Sequence, residues 1–173
     1  LSETQVDENG KETRVYPYQN LFAHVVGYDA KGKAGIESSA NFELLTSNAF
    51  FLEKLMKEFR EEKNIGDNVI TTLDLSVQQA AYDALGKYKG AVVVMQVSTG
   101  KILALVSKPD FNPNTIQEDW ESITSSGESV LVNRATQGAY APGSVFKLLT
   151  SVAALEEGVI TKNKVIYWLI SNF

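Results

Sequence analysis

The chain has 173 residues, 44% of them hydrophobic, a formal net charge of −5 and a pI near 5.0, with one histidine and no cysteine. That apolar content suits a globular core, and the acidic balance argues against nucleic acid, whose binders cluster Lys and Arg. The missing cysteines exclude thiol catalysis and thiolate zinc sites, the single histidine excludes a His-rich metal site, and no run approaches the roughly 18 to 20 apolar residues of a membrane span.

Residues 1 to about 40 read as short strands and loops, with a turn at Asn9-Gly10 between strand-like flanks. Ala23 to Tyr28 reads as an apolar, strand-like run that contains the only histidine, His24. A lone histidine invites a Ser-His pair, but its place in an apolar run far from any candidate serine reads as structural. From Phe42 to Lys63, Phe50, Phe51, Leu52, Leu55, Met56 and Phe59 recur at helical spacing, and the intervening Glu, Lys and Arg form a solvated face. Ile65-Gly66-Asp67-Asn68 is the expected boundary between two parts of the chain. A helix is expected next, with Asp74 or Ser76 as its N-cap and Val77, Ala80, Ala81, Ala84 and Leu85 as its apolar stripe.

Gly90 to Ser107 predicts a β-hairpin, because two β-rich runs flank Ser98-Thr99-Gly100-Lys101. The runs Ala91 to Val97 and Ile102 to Val106 are almost continuously apolar, which predicts burial on both faces. Pro109 and Pro113 then end the pairing. Thr115 to Glu128 is polar and is expected to form a surface loop with a helical turn.

The most informative stretch is Asn133-Arg-Ala-Thr-Gln-Gly-Ala-Tyr-Ala-Pro-Gly-Ser-Val-Phe-Lys147. Pro142-Gly143 punctuates the chain just before an apolar-periodic run, so Ser144 falls in the first turn of a helix. Lys147 lies three residues on, and residues at that spacing share a face. This makes Ser144 a candidate nucleophile and Lys147 its candidate base. The positive helix end, together with burial, favours a neutral amine there, and free N–H groups at the helix start suit an oxyanion hole. Ser-x-x-Lys by itself is a cheap pattern whose ordinary reading is two surface residues. The flanking residues are what raise it above chance.

In that context, Tyr140-Ala-Pro-Gly-Ser-Val-Phe-Lys147, with Asn133-Arg134 and Gln137-Gly138, resembles the active-site signature of the penicillin-binding proteins. The hairpin with its Ser-x-Pro-x-Phe-x-Pro-Asn exit resembles the opening of their transpeptidase sheet. Ala23-His-Val-Val-Gly-Tyr28 and Gly32-Lys-Ala-Gly-Ile-Glu37 resemble the segments that, in class B members, join an N-terminal pedestal to the catalytic domain. Serine β-lactamases and β-lactam sensors share the Ser-x-x-Lys helix but are not expected to carry the Gly-x-Glu segment.

The resemblance implies an α+β chain, with a small α/β pedestal and linker over residues 1–65. The first part of a transpeptidase domain follows over 66–173, namely a β-hairpin of an antiparallel sheet plus helices. It implies an acyl-serine D,D-transpeptidase that cross-links peptidoglycan, with Ser144 and Lys147 as catalytic residues and no metal or organic cofactor. Stem peptides and β-lactams would be its ligands, and other cell-wall synthesis proteins its further partners. The extracytoplasmic face of a bacterial membrane would be its location, reached through an N-terminal anchor that this chain, beginning at Leu1, does not carry. Two later family motifs, Ser-x-Asn and Lys-Thr-Gly, do not follow Lys147, and Ser39-Ala-Asn41 matches the first of them only upstream of Ser144. The tail from Val165 to Phe173 departs from the family. The chain is therefore expected to be an N-terminal fragment, and two readings stay open for it. One is part of a working transpeptidase, and the other is a catalytically incompetent scaffold or interaction fragment.

Overall fold

The computed structural model describes residues 1–45 and 66–163. These separate into two compact units, Leu1–Gly138 and Ala139–Phe173. Of the helix expected over Phe42 to Lys63, residues 42–45 fall in the short helix Asn41–Leu45, and the remaining positions lie outside the described residues.

The first unit opens with a two-stranded antiparallel hairpin, β1 (Glu3–Val6) and β2 (Glu12–Val15), in which Glu3 faces Val15. Asp7 builds the intervening turn by accepting N–H bonds from Asn9 and Lys11 through its side chain. A 3-10 turn (Gln19–Phe22) follows, then three short helices, α1 (Ala23–Val26), α2 (Gly35–Ser39) and α3 (Asn41–Leu45). The Ala23 to Tyr28 run is thus helical at its core rather than strand-like. Its apolar side chains turn inward onto two clusters, Ala23 with Tyr28, Phe111 and Ile116, and Val26 with Tyr16 and Phe22, so tertiary burial overrides the local strand preference of the valines.

Two glycines of the segments singled out in the sequence make α1 and α2 cross at backbone distance. A Cβ on Gly27 would lie 1.8 Å from the Ala34 carbonyl oxygen, and one on Gly35 would lie 2.5 Å from that of Val25, and both residues have positive φ. Glu37, the acid of the Gly-x-Glu segment, is buried and accepts from Arg14 Nε at 2.8 Å and from Ser2 Oγ at 3.0 Å. The segment therefore ties the first hairpin to α2 by a shielded ion pair.

Helix α4 (Leu75–Leu85) starts where expected. Asp74 is the N-cap, and its side chain accepts from the N–H groups of Ser76 and Val77. Its inward face differs from the expected stripe. Ala80 and Ala84 are exposed, and Val77, Gln78, Ala81, Tyr82 and Leu85 face the sheet instead. That sheet is the second hairpin, β3 (Gly90–Gln96) and β4 (Lys101–Lys108), antiparallel with Val92 opposite Val106 and Val94 opposite Ala104 and an irregularity at Val94/Met95.

Val92, Val94, Ala104 and Val106 pack on α4. Val93 and Met95, on the strand that was expected to be buried on both faces, are 46% and 53% exposed. Only one face of β3 is covered among the described residues, because the elements that follow fold against β4 and the N-terminal segment. Gln78 caps β4 on the side away from β3, and Thr72 and Asp74 bond to its Ile102 and Leu103 carbonyls.

The polar stretch after the hairpin forms a ten-residue helix, α5 (Ile116–Ser125), longer than the single turn expected. Ile116 is 1% exposed and anchors it, and Trp120 packs edge-on against Tyr28, which itself meets Phe111 edge-on. Ile116, Trp120 and Ile123 hold the helix onto the cluster of Ala23, Tyr28 and Phe111, while the acidic residues of its first turns face solvent.

The second unit contains a 3-10 turn (Gly143–Val145) leading into α6 (Phe146–Glu156). No residue of that helix is buried.

Candidate active site

Ser144 lies in the middle of the 3-10 turn and Lys147 in the first turn of α6, so the local geometry is the one read from the sequence, a serine at a helix mouth with a lysine one turn on. Gly143 takes positive φ, which lets the chain turn sharply after Pro142 into the helix. Both side chains are exposed, and no hydrogen bond joins them among the described residues. The burial expected around Lys147 is not provided by the described residues of its own unit, which leave α6 without a buried residue. Its apolar stripe, including Phe146, Leu149 and Val152, is itself open to solvent. Two open cavities of about 320 and 620 Å³ belong to the first unit and are lined by residues such as Tyr82 and Lys108, and Leu21 and Leu75. Neither includes Ser144 or Lys147.

The chain that leads towards Ser144 is firmly anchored within the first unit. Ser107, 2% exposed at the end of β4, donates through Oγ to the Val132 carbonyl and accepts from the Arg134 N–H. The Arg134 guanidinium donates to the carbonyls of Glu128, Ser129 and Val132. Asn133 donates through Nδ2 to the His24 carbonyl at 3.0 Å, its Oδ1 accepts from the Ala135 N–H, and its own N–H reaches Gln137 Oε1. These roles of Ser107 and Asn133 were not read from the sequence. Their partners lie far away along the chain, and only folding brings them together.

His24 has no catalytic geometry. It is buried, its Nε2–H donates to the Pro109 carbonyl at 3.0 Å, and its ring meets Phe111 edge-on. Burial pushes its pKa below the ordinary value, which keeps the imidazole neutral at physiological pH. Asp110 is occupied too, accepting from Tyr82 Oη at 2.6 Å and from Asn20 Nδ2 at 2.9 Å. Burial and the Asp110 carboxylate raise the Tyr82 phenol well above its usual range. Among the described residues, no group of three or more His, Cys, Asp or Glu side chains could hold a metal ion.

Comparison with known proteins gives the family. The penicillin binding protein transpeptidase domain matches residues 90–169, and the penicillin binding protein A dimerisation domain matches residues 1–69. The peptidoglycan D,D-transpeptidase PbpA of Mycolicibacterium smegmatis is 39% identical over 84% of this chain and 33% of its own length. The peptidoglycan D,D-transpeptidase MrdA of Escherichia coli is 32% identical over 94% of this chain and 31% of its own. The chain thus spans about a third of the length of these relatives. Among solved structures, the imipenem acyl-enzyme complex of penicillin-binding protein A from M. tuberculosis superposes with a TM-score of 0.84 at 34% identity, covering 95% of this chain and 41% of that one. A bound acyl-enzyme is what a serine nucleophile leaves with a β-lactam. On sequence and fold together, the chain belongs to the class B penicillin-binding proteins.

Proposed function

We propose that the protein is a serine D,D-transpeptidase of peptidoglycan synthesis and that this chain carries its nucleophile and base. Ser144 Oγ attacks the carbonyl between the two terminal D-alanines of a stem peptide while Lys147 takes the hydroxyl proton. The amide C–N bond then breaks, and that proton passes to the departing D-alanine. An amine of a neighbouring stem peptide next attacks the acyl-serine, forming the cross-link and returning the proton to Ser144. A β-lactam acylates the same oxygen as its ring amide opens. The reaction needs no metal or organic cofactor, since the serine and lysine supply both nucleophile and proton transfer.

In this reading residues 1–65 are a pedestal and linker, and the transpeptidase portion begins near residue 66. The protein works at the extracytoplasmic face of the membrane, on stem peptides and β-lactams and alongside other cell-wall synthesis proteins. The observation that carries it is Ser144 in the turn that opens α6 with Lys147 one turn inside, within a chain of this family. Labelling by a fluorescent penicillin of the protein made from its whole reading frame, followed by peptide mapping, is the test. Covalent label on Ser144 is expected, and no label, or label elsewhere, overturns the reading.

A second reading is favoured by one observation: no residue of α6 is buried among the described residues. A nucleophile and base without aligned substrate lose most of their rate advantage. By itself the 173-residue chain is then a scaffold that does not acylate, and stoichiometric labelling of it would remove this reading.

A further inference from the structure

Asn133 is the point at which the N-terminal segment touches the stretch that leads to the proposed nucleophile. Its backbone and side chain are all engaged. The N–H reaches Gln137 Oε1, Oδ1 accepts from the Ala135 N–H, and the carbonyl accepts from the N–H groups of Thr136 and Gln137. These bonds close residues 133–137 into a local turn. The remaining group, Nδ2, leaves the turn altogether and donates to the backbone carbonyl of His24 in α1, 109 positions away.

The acceptor end is rigid. His24 is buried, its ring is pinned by the Pro109 carbonyl and lies edge-on to Phe111, and neighbouring Ala23 is 1% exposed in the aromatic cluster. The next residue on the other side is tied as well, since the Arg134 N–H donates to buried Ser107 of β4. The turn is therefore clamped between the N-terminal segment and the catalytic-portion sheet. After it come only residues 138–143 before Ser144, so whatever holds residue 133 limits where the nucleophile's stretch of chain can start.

Resting on the transpeptidase reading, we propose that Asn133 is a positioning residue: its bond to His24 couples the N-terminal segment to the acylation rate at Ser144. Catalysis by a serine-lysine pair depends on placement within a fraction of an ångström, and a small misplacement from outside the site costs rate rather than affinity.

Asn133→Ser is the discriminating variant. Its hydroxyl can still accept from the Ala135 N–H and keep the turn, but it is too short to reach the His24 carbonyl. Asn133→Ala removes both, and Ser107→Ala loosens the other side of the clamp. In the protein from its whole reading frame, acylation by a fluorescent penicillin is followed at several concentrations, so that the limiting acylation rate separates from the apparent binding constant. Melting temperature and amide hydrogen exchange are measured on the same samples. Asn133→Ser is expected to lower the limiting rate about tenfold with the binding constant within twofold of the parent, and to speed exchange at residues 134–138. A limiting rate within twofold of the parent, or a loss that only matches the fraction of unfolded protein, overturns the proposal. Unchanged exchange at 134–138 overturns it even if no label forms. A parent protein that exchanges as expected but takes no label at Ser144 overturns the transpeptidase reading instead.

Discussion

The side-chain amide of Gln78 closes on the backbone of Leu105, donating to its carbonyl at 2.9 Å and accepting from its N–H at 2.8 Å. A third bond runs from the same Nε2 to the Leu21 carbonyl at 2.7 Å. Gln78 is 0% exposed, so one glutamine stands in for a neighbouring strand along β4 and joins it to the N-terminal segment. This leaves the outer side of β4 occupied and the other edge of β3, unpaired among the described residues, as the side on which the two-stranded sheet can grow.

Gln78→Leu keeps the volume and removes the bonds, leaving the part-buried Leu105 N–H and the Leu105 and Leu21 carbonyls without these partners. Each such group costs about 1 to 3 kcal/mol, so a loss of roughly 3 kcal/mol is expected in urea unfolding. A change below about 1 kcal/mol would mean that water reaches those groups.

Because His24 is the sole histidine, pH dependence near neutrality reports on it with little interference. Burial holds its folded pKa below the unfolded value of 6.5. Well above 6.5 the ring is neutral in both states and contributes no slope. As pH falls through 6.5 the unfolded chain takes up the proton first, so stability declines, by at most about 1.4 kcal/mol per pH unit. Urea midpoints at pH 7.5 and 5.5 check this, and His24→Gln is expected to flatten the difference. Equal midpoints for the parent would show that the imidazole protonates freely in the folded state.

Ser144→Ala is expected to abolish penicillin labelling of the whole protein without moving its melting temperature, since an exposed serine contributes little packing. Lys147→Ala is expected to slow acylation on the order of a hundredfold or more, because the alcohol loses its base. Near-normal labelling of the lysine variant would remove Lys147 from the general-base role.

β3, whose outer edge is unpaired among the described residues, carries exposed Val93 and Met95 and, just beyond it, Val97 at 96% exposure, with no charge or proline between Gly90 and Gln96. Such an edge recruits further strands. The 173-residue chain is expected to sediment faster as its concentration rises, and Val93→Lys to reduce that dependence. A monomer at every concentration would show that the edge is already closed. The 165–173 tail lies outside the described residues.

What the sequence determined by itself was local. Gly100 and its flanking β-rich runs specified the second hairpin, Asp74 specified the start of α4, and Pro142-Gly143 specified the turn that carries Ser144, because turn and cap chemistry acts within a few residues. The signature around Ser144, with the Gly-x-Glu segment, also sufficed to identify the family. Tertiary structure decided the rest. It made Ala23 to Val26 helical, turned Gln78 inward and Ala84 outward, extended the polar stretch after Thr115 into a helix anchored by Ile116, and left one face of β3 open among the described residues. It also joined Asn133 to His24 and Ser107 to Arg134, links between distant positions. No periodicity encodes such links, because they depend on which backbone groups burial leaves in need of a partner.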